Sequence, residues 1–176
     1  WVRQLCWREF FMQLLWWRPE LAYVDLRPSS APEWVNDADE LEAWKAGRTG
    51  FPLVDAGMRQ LLAEGWMHNR VRMVVASFLT KDLRVDWRVG AAHFMDLLVD
   101  GDVAVNQLSW QWVAGTGGGS NPNRVLNPSA QLATHDRDEQ YVRRWVAEVD
   151  TDAYAAPIVD HHVAIAAWKD SRRRRC

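Results

Sequence analysis

The chain has 176 residues, 48% of them hydrophobic and 25% charged, which is enough apolar material for one sizeable core and too much for a disordered segment. Its formal charge of -2 decides nothing about nucleic acid, because phosphate binding rests on a local basic surface rather than on the total. No apolar run approaches the ~20 residues that a membrane-spanning helix needs, and the start Trp1-Val2-Arg3-Gln4 lacks the layout of a signal peptide, so a cytoplasmic protein without a membrane partner is expected.

Chain order gives a succession of helices. Leu5, Cys6, Phe10, Leu14 and Leu15 recur at helical intervals from Trp1 to Trp17, until Arg18-Pro19 ends the first helix by removing a backbone donor. A loop through Pro28, Ser29, Ser30 and Pro32 leads to Asp37 or Asp39, either of which suits the cap of a short helix ending at Gly47. Pro52 sits where a first helical turn favours it, and Leu53, Ala56, Met58, Leu61 and Leu62 carry the pattern to Gly65, a C-terminal stop.

Beyond Asn69, the residues Val71, Val74, Val75, Phe78 and Leu79 follow i, i+3, i+4, i+7, i+8 and predict an amphipathic helix. A second stripe at the same spacing, Asn69, Arg72, Met73 and Ala76, places an amide and a guanidinium on another face of that helix. Helical patterns return over 89–98 and 103–113, joined by Asp100-Gly101-Asp102, with Asp102 placed to cap the second. The glycine- and asparagine-rich stretch 115–128 reads as an irregular loop, and a last clear helix is expected over 138–149. No strand-like alternation is sustained, so the fold class is all-α. A first helix that already begins at Trp1, with no initiator Met, reads as part of a longer protein.

Few residues offer chemistry outright. Cys6 and Cys176 lie at opposite ends, and no C-x-x-C or His/Cys spacing suggests zinc, so neither a disulfide nor a metal is expected. Histidine as a residue type suits acid–base work, which makes His68 a candidate, while His93, His135, His161 and His162 show no partner spacing. Arg172 to Arg175 read as a solvated end rather than a nucleic-acid clamp. Arg72 with Asp100 and Asp102 is different from an arbitrary surface pair: the acids precede a helix whose backbone amides favour negative charge, and the arginine lies opposite an apolar face. Such a pair, if buried, needs hydrogen-bonding company, which a flat polar ring can supply. Twelve tryptophans are more than the core of a domain this size requires.

Two runs, Gly65-Trp66-Met67-His68-Asn69-Arg70-Val71-Arg72-Met73 and Asp100-Gly101-Asp102 with Asn106 and Trp110-Gln111-Trp112, closely resemble the flavin-binding catalytic domain of DNA photolyases and cryptochromes. The resemblance covers nearly all of residues 1–146. It implies a partial helical FAD-binding domain over residues 1–150, followed by a C-terminal extension over 151–176 ending in a partly disordered tail. Family members carry an N-terminal α/β antenna domain and a Thr/Ser-rich loop for the FAD phosphates, both of which would precede Trp1. The antenna chromophore is therefore unknown, and weak FAD retention by these 176 residues alone is expected.

Residue by residue, the resemblance implies that Arg72 and Asp100 pair beside the isoalloxazine ring, that Asp102 bonds its pyrimidine edge with Gly101 between them, and that Trp1 also touches the flavin. Asn106 matches the residue facing flavin N5, where photolyases usually place asparagine and plant and insect cryptochromes aspartate or cysteine. Trp110, Trp87 and Trp34 match the family's electron-transfer chain. The segment Gln4-Leu5-Cys6-Trp7-Arg8-Glu9-Phe10-Phe11 resembles the part that meets the lesion and its phosphates. Trp7 and Trp112 are implied walls for a flipped-out dimer, and Asn69, Arg70, Met73 and Gln131 match further DNA or lesion contacts. For Arg8 and Arg70 a structural ion pair is an equal alternative.

The implied activity is blue-light repair of cyclobutane pyrimidine dimers by electron transfer from reduced FAD, with lesion-bearing DNA as partner and a monomeric enzyme. Asn69 and Met73 stand where photolyases of (6-4) photoproducts carry histidines, which favours cyclobutane dimers. Gln4 cuts the other way, standing where many cyclobutane-dimer enzymes have glutamate; it bonds thymine carbonyls but donates no carboxylic proton. A (6-4) photolyase and a cryptochrome-type photoreceptor remain the alternatives.

Overall fold

A computed structural model describes residues 2–28, 31–118 and 121–173. Trp1, Ser29, Ser30, Gly119, Ser120 and residues 174–176 lie outside it, among them the expected flavin contact Trp1 and the end of the arginine run. Among the described residues every regular element is helical: α1 (Val2–Trp17), a 3-10 turn (Pro19–Ala22), α2 (Ala38–Lys45), α3 (Pro52–Glu64), α4 (Asn69–Ser77), a π-helical turn (Phe78–Asp82), α5 (Trp87–Leu97), α6 (Val103–Ala114), α7 (Pro128–His135), α8 (Gln140–Trp145) and α9 (His161–Arg173). The all-α expectation holds.

The ends of these helices follow local chemistry. Asp37 caps α2 by accepting from the amides of Asp39 and Glu40, Asp102 caps α6 through Val105 N at 2.9 Å, and His68 caps α4 through Arg70 N at 3.1 Å. His68 thus has a structural task as the cap of α4. Pro52 opens α3, and Gly65 closes it in the left-handed region at φ 63°, a conformation that glycine adopts without the steric penalty of a Cβ.

The main core gathers α2 to α6. Val54, Met58 and Leu61 of α3 meet Met67, Val71, Val74 and Val75, while Trp44, Phe94 and Trp110 nest against one another, with the Phe94 and Trp110 rings 5.0 Å apart and edge-on. Gly90 permits the closest approach: a Cβ there would fall 2.3 Å from the Trp110 ring, so α5 and α6 pack at a distance that only glycine allows. Gly57 does the same against Val71 and Val75 of α4.

Helix α1 behaves differently. It packs on α6 and the 3-10 turn, but none of its described residues is buried, and Trp16 and Trp17 remain 81% and 79% exposed. Its apolar residues surround the helix instead of forming one stripe. The tryptophans accordingly divide: Trp44, Trp87, Trp110 and Trp168 are buried, whereas Trp7, Trp16, Trp17 and Trp66 are not.

Downstream, α8 is shorter than the expected 138–149, because Val146 leaves helical geometry and turns follow it. Helix α9 is an element that the sequence pattern leaves unassigned. It docks on the π-helical turn with Ile165, Trp168 and Ser171 buried. The docking is partly electrostatic. His161 Nδ1 meets Asp82 Oδ1 in a short contact, Lys81 Nζ bonds the Arg124 carbonyl, and the Lys81 ammonium lies 5.0 Å from the Trp168 ring.

These groups give the protein a pH dependence. The Asp82 carboxylate holds the His161 imidazole above its ordinary 6.5, against a smaller opposing effect of burial. With the folded value raised, the stabilisation is complete below about 6.5 and is lost as pH rises through the folded value. Burial lowers Lys81 to about 7, and the sign there is opposite, stability rising from pH 7 upward as the unfolded state holds the extra proton. Comparing thermal melts of the wild type and His161→Phe from pH 5.5 to 8.5 isolates the first contribution: the gap between them should be widest at the acid end and narrow with rising pH. A constant gap would show that the His161–Asp82 contact carries no proton linkage.

Candidate flavin site

Two helical stripes build the site. On α4 and its start, Asn69, Arg72, Met73 and Ala76 recur at i, i+3, i+4, i+7; on α6, Asp102, Val105, Asn106, Ser109, Trp110 and Val113 recur at i, i+3, i+4, i+7, i+8, i+11. The stripes face each other across a cleft of about 290 Å³, closed at other points by Phe94, Leu98, Asp100, Gly101 and Arg8. That volume sits near the lower end of small-molecule sites, ~300–1,000 Å³. The α4 stripe was legible in full from sequence, whereas Val105, Ser109 and Val113 were missed, although their spacing from Asp102 and Asn106 was the available signal.

Arg72 is held from two sides. Its Nε donates to the Met67 carbonyl at 2.9 Å, and its Nη2 reaches both oxygens of Asp100 at 3.0 and 2.9 Å. The pair is not buried: the side chains are 23% and 48% exposed, so it adds little stability by itself, ~0–1 kcal/mol. A ligand lying over it would remove that water and strengthen every charge interaction there.

Asp102 spends Oδ1 on the α6 cap, while Asn106 is buried and donates Nδ2 to the Ala91 carbonyl at 2.9 Å. Because a carbonyl only accepts, this bond fixes the orientation of the amide and leaves Asn106 Oδ1 as the acceptor for whatever fills the cleft. Trp110 contributes an apolar wall. The polar groups therefore include two guanidiniums, two carboxylates, the Asn69 amide and the oriented Asn106 acceptor around an apolar slot, which suits a flat heterocycle with a polar edge.

The expected lesion contacts do not converge on this one cleft. Arg8, Asn69 and Met73 line it. Trp7 and Trp112 share a second cleft of about 640 Å³ with Cys6, Phe10 and Phe11. Arg70 lines a third groove with Trp66, His68 and Tyr141, and it has no ion-pair partner among the described residues. Gln131 is half-buried with Oε1 unbonded, and Gln4, Leu5 and Glu9 stay exposed on α1 outside all three hollows. Gln111, flanked by two tryptophans, carries no chemical signal of its own in the sequence. It is fully buried and ties α6 to the loop after α1, accepting from Leu26 N and donating to the carbonyls of Leu21 and Val24.

Of the three matched tryptophans, Trp110 walls the cleft, Trp87 is fully buried one turn before Gly90, and Trp34 is half-buried against the core. The Trp34 segment is fastened to the residues preceding Trp87: Val35 N donates to the Arg84 carbonyl, and Asp86 N donates to Asn36 Oδ1.

A family model described as the FAD binding domain of DNA photolyase matches residues 1–171. The chain belongs to that family. Its cofactor is FAD, which fits the cleft's polar groups. The chain is 61% identical over 159 residues to the deoxyribodipyrimidine photo-lyase of Streptomyces griseus, covering 89% of this chain and 35% of that protein. The solved archaeal photolyase of Sulfolobus tokodaii, described with two FAD molecules, superposes with a TM-score of 0.92 at 37% identity over 98% of this chain and 44% of the other. A cryptochrome of Synechocystis superposes with a TM-score of 0.90 at 31% identity, covering 97% and 41%. This photolyase-family chain thus spans well under half the length of the relatives it matches.

Among the described residues no helix is long and apolar enough to cross a membrane.

Proposed function

We propose that the protein carrying this chain is a blue-light-driven photolyase that splits cyclobutane pyrimidine dimers in DNA, acting in the cytoplasm as a monomer. What carries the proposal is the single cleft in which Arg72, Asp100, Asp102, Asn106 and Trp110 stand together with Asn69, Met73 and Arg8. When bound, reduced FAD supplies the light absorption and the one electron that opens the cyclobutane ring, and that electron returns, so no net redox change results.

The chain's own share is positioning. Arg72, Asp100, Asp102 and Asn106 would hold its ring system, Asp102 while also anchoring α6 and Asn106 through its Oδ1 acceptor. Asn69 and Met73 hold the lesion over the same cleft, while Trp7 and Trp112 offer stacking faces next to it. Extruding a damaged pair costs a few kcal/mol, and stacking on an aromatic returns ~1–3 kcal/mol per base, so two indoles are of the right size to offset it. Trp110, Trp87 and Trp34 form the path by which electrons from outside keep the flavin reduced.

Residues 1–150 form the partial FAD-binding domain in this proposal, with residues 151–176 an extension of it. The test is light-dependent repair of oligonucleotides carrying a defined lesion by flavin-loaded protein that contains these residues. Repair of the cyclobutane dimer, and none of the (6-4) photoproduct, is expected. The reverse preference would make Gln4 the telling residue, and normal photoreduction with no repair of either lesion would assign the chain to a cryptochrome-type photoreceptor.

A further inference from the structure

Trp87 sits in an electrostatic setting different from that of Trp110, the indole that walls the cleft. The ring is fully buried, and its Nε1–H donates to Asp25 Oδ1 at 2.7 Å. The Asp25 side chain is itself only 11% exposed, and its second oxygen lies 3.2 Å from Arg88 Nη2. Arg88 in turn lies over the Trp87 ring, 4.7 Å from its centre, and is shared with Asp86 and the Tyr23 carbonyl. Two carboxylates thus surround one guanidinium beside this indole. Trp110, by contrast, is packed among Phe94, Trp44, Leu79 and Gly90.

The chemistry of an oxidised indole makes this difference matter. Removing one electron places a positive charge on the ring and turns Nε1–H from a very weak acid into a strong hydrogen-bond donor. A carboxylate already aligned on that proton stabilises the cation, and charge-assisted bonds are roughly twice as strong as neutral ones. Low local dielectric magnifies the effect for a ring without access to water.

We propose that Asp25 is a positioning residue for electron transfer, making Trp87 easier to oxidise than Trp110 so that a hole formed beside the cleft moves outward. The proposal rests on the reading of Trp110, Trp87 and Trp34 as an electron path. One electron leaves Trp110 for the photoexcited flavin, and Trp87 replaces it. Trp87 is then the cation, its Nε1 proton drawn toward Asp25. An electron from Trp34 returns Trp87 to neutrality and the proton to Nε1. A soluble thiol finally reduces Trp34, so one electron has entered the flavin and one has left the thiol. Arg88 places a positive charge 4.7 Å from the ring, which opposes the cation, but Asp25 and Asp86 both pair with it, so the charge beside Trp87 stays net negative.

Asp25→Asn keeps the shape and an acceptor oxygen but removes the charge, and Trp87→Phe removes the relay. In flavin-loaded protein containing this chain, Trp87→Phe should abolish thiol-dependent photoreduction, and Asp25→Asn should lower its quantum yield by ~10-fold or more. Repair by chemically pre-reduced Asp25→Asn protein should be unchanged, and Asp25→Glu should recover most of the yield. A readout free of light and turnover is the indole Nε1–H proton resonance assigned by its loss in Trp87→Phe, which should move upfield in Asp25→Asn as the hydrogen bond weakens. Photoreduction that survives Trp87→Phe would overturn the electron path itself. Loss in Trp87→Phe with a yield in Asp25→Asn within twofold of wild type would overturn only the role of Asp25. A parallel fall of flavin content and repair in Asp25→Asn would reduce that residue to a loop anchor and equally end the proposal.

Discussion

Protein in which both Asp100 and Asp102 are replaced by alanine should lose its flavin on gel filtration, with affinity reduced at least ~100-fold. The magnitude follows from two charge-assisted hydrogen bonds, each worth ~1.5–3 kcal/mol, against 1.4 kcal/mol for a tenfold change. The two residues act differently. Without Asp100, the Arg72 guanidinium keeps only its bond to the Met67 carbonyl and loses the two contacts that fix its fork toward the cleft. Without Asp102, α6 loses its cap at Val105 N, a change that costs ~0.5–2 kcal/mol of stability whatever it does to ligand binding.

Asp102→Asn separates these effects, because asparagine caps a helix about as well as aspartate but brings no charge. It should melt near the wild type yet hold flavin more weakly. The measurement is flavin absorbance per polypeptide, read beside a thermal melt for each variant. Wild-type flavin content in the folded double variant would mean that the cofactor lies elsewhere.

Much of this site was visible in the sequence because it is written in helical periodicity. Asn69, Arg72, Met73 and Ala76 lie on one face of α4 by spacing alone, and Asp102 announces a helix start by its residue type. Pro52 and Gly65 bracket α3 for equally local reasons. What stayed hidden depends on contacts between distant segments. Nothing near Asp25 in sequence points to Trp87, 62 residues on, and the closeness of α5 to α6 hangs on a glycine at position 90 that looks ordinary until Trp110 is seen against it.

Helix α9 escaped notice for a related reason. Its burial is limited to Ile165, Trp168 and Ser171, and its anchor is the Lys81–Asp82 pair on a π-helical turn that no simple repeat predicts. The lesion set divided among three hollows shows the limit of carrying residues over singly: matching types ensured neither a common cavity nor a buried position on α1.

Trp110→Phe should separate two processes that share the cleft. If electrons from outside reach the flavin through Trp110, replacing its indole by a ring much harder to oxidise should suppress thiol-dependent photoreduction by ~100-fold or more, since a single tenfold step corresponds to only 1.36 kcal/mol in barrier. Dimer splitting by protein reduced beforehand should proceed at the wild-type rate if, as proposed, that electron passes between flavin and lesion without visiting the indole.

The variant will have a packing cost of its own. Trp110 fills the space against Gly90, Phe94 and Trp44, and the smaller ring leaves part of it empty, a loss that scales at ~24 cal/mol per Å³ of residual cavity. A modest drop in melting temperature is therefore expected alongside the kinetic change and does not count against it. The decisive comparison is the ratio of the two activities within one preparation, which is insensitive to how much of it is folded. Equal losses in photoreduction and repair would make Trp110 a wall of the cleft and nothing more, whereas photoreduction at the wild-type rate would show that electrons reach the flavin by another route.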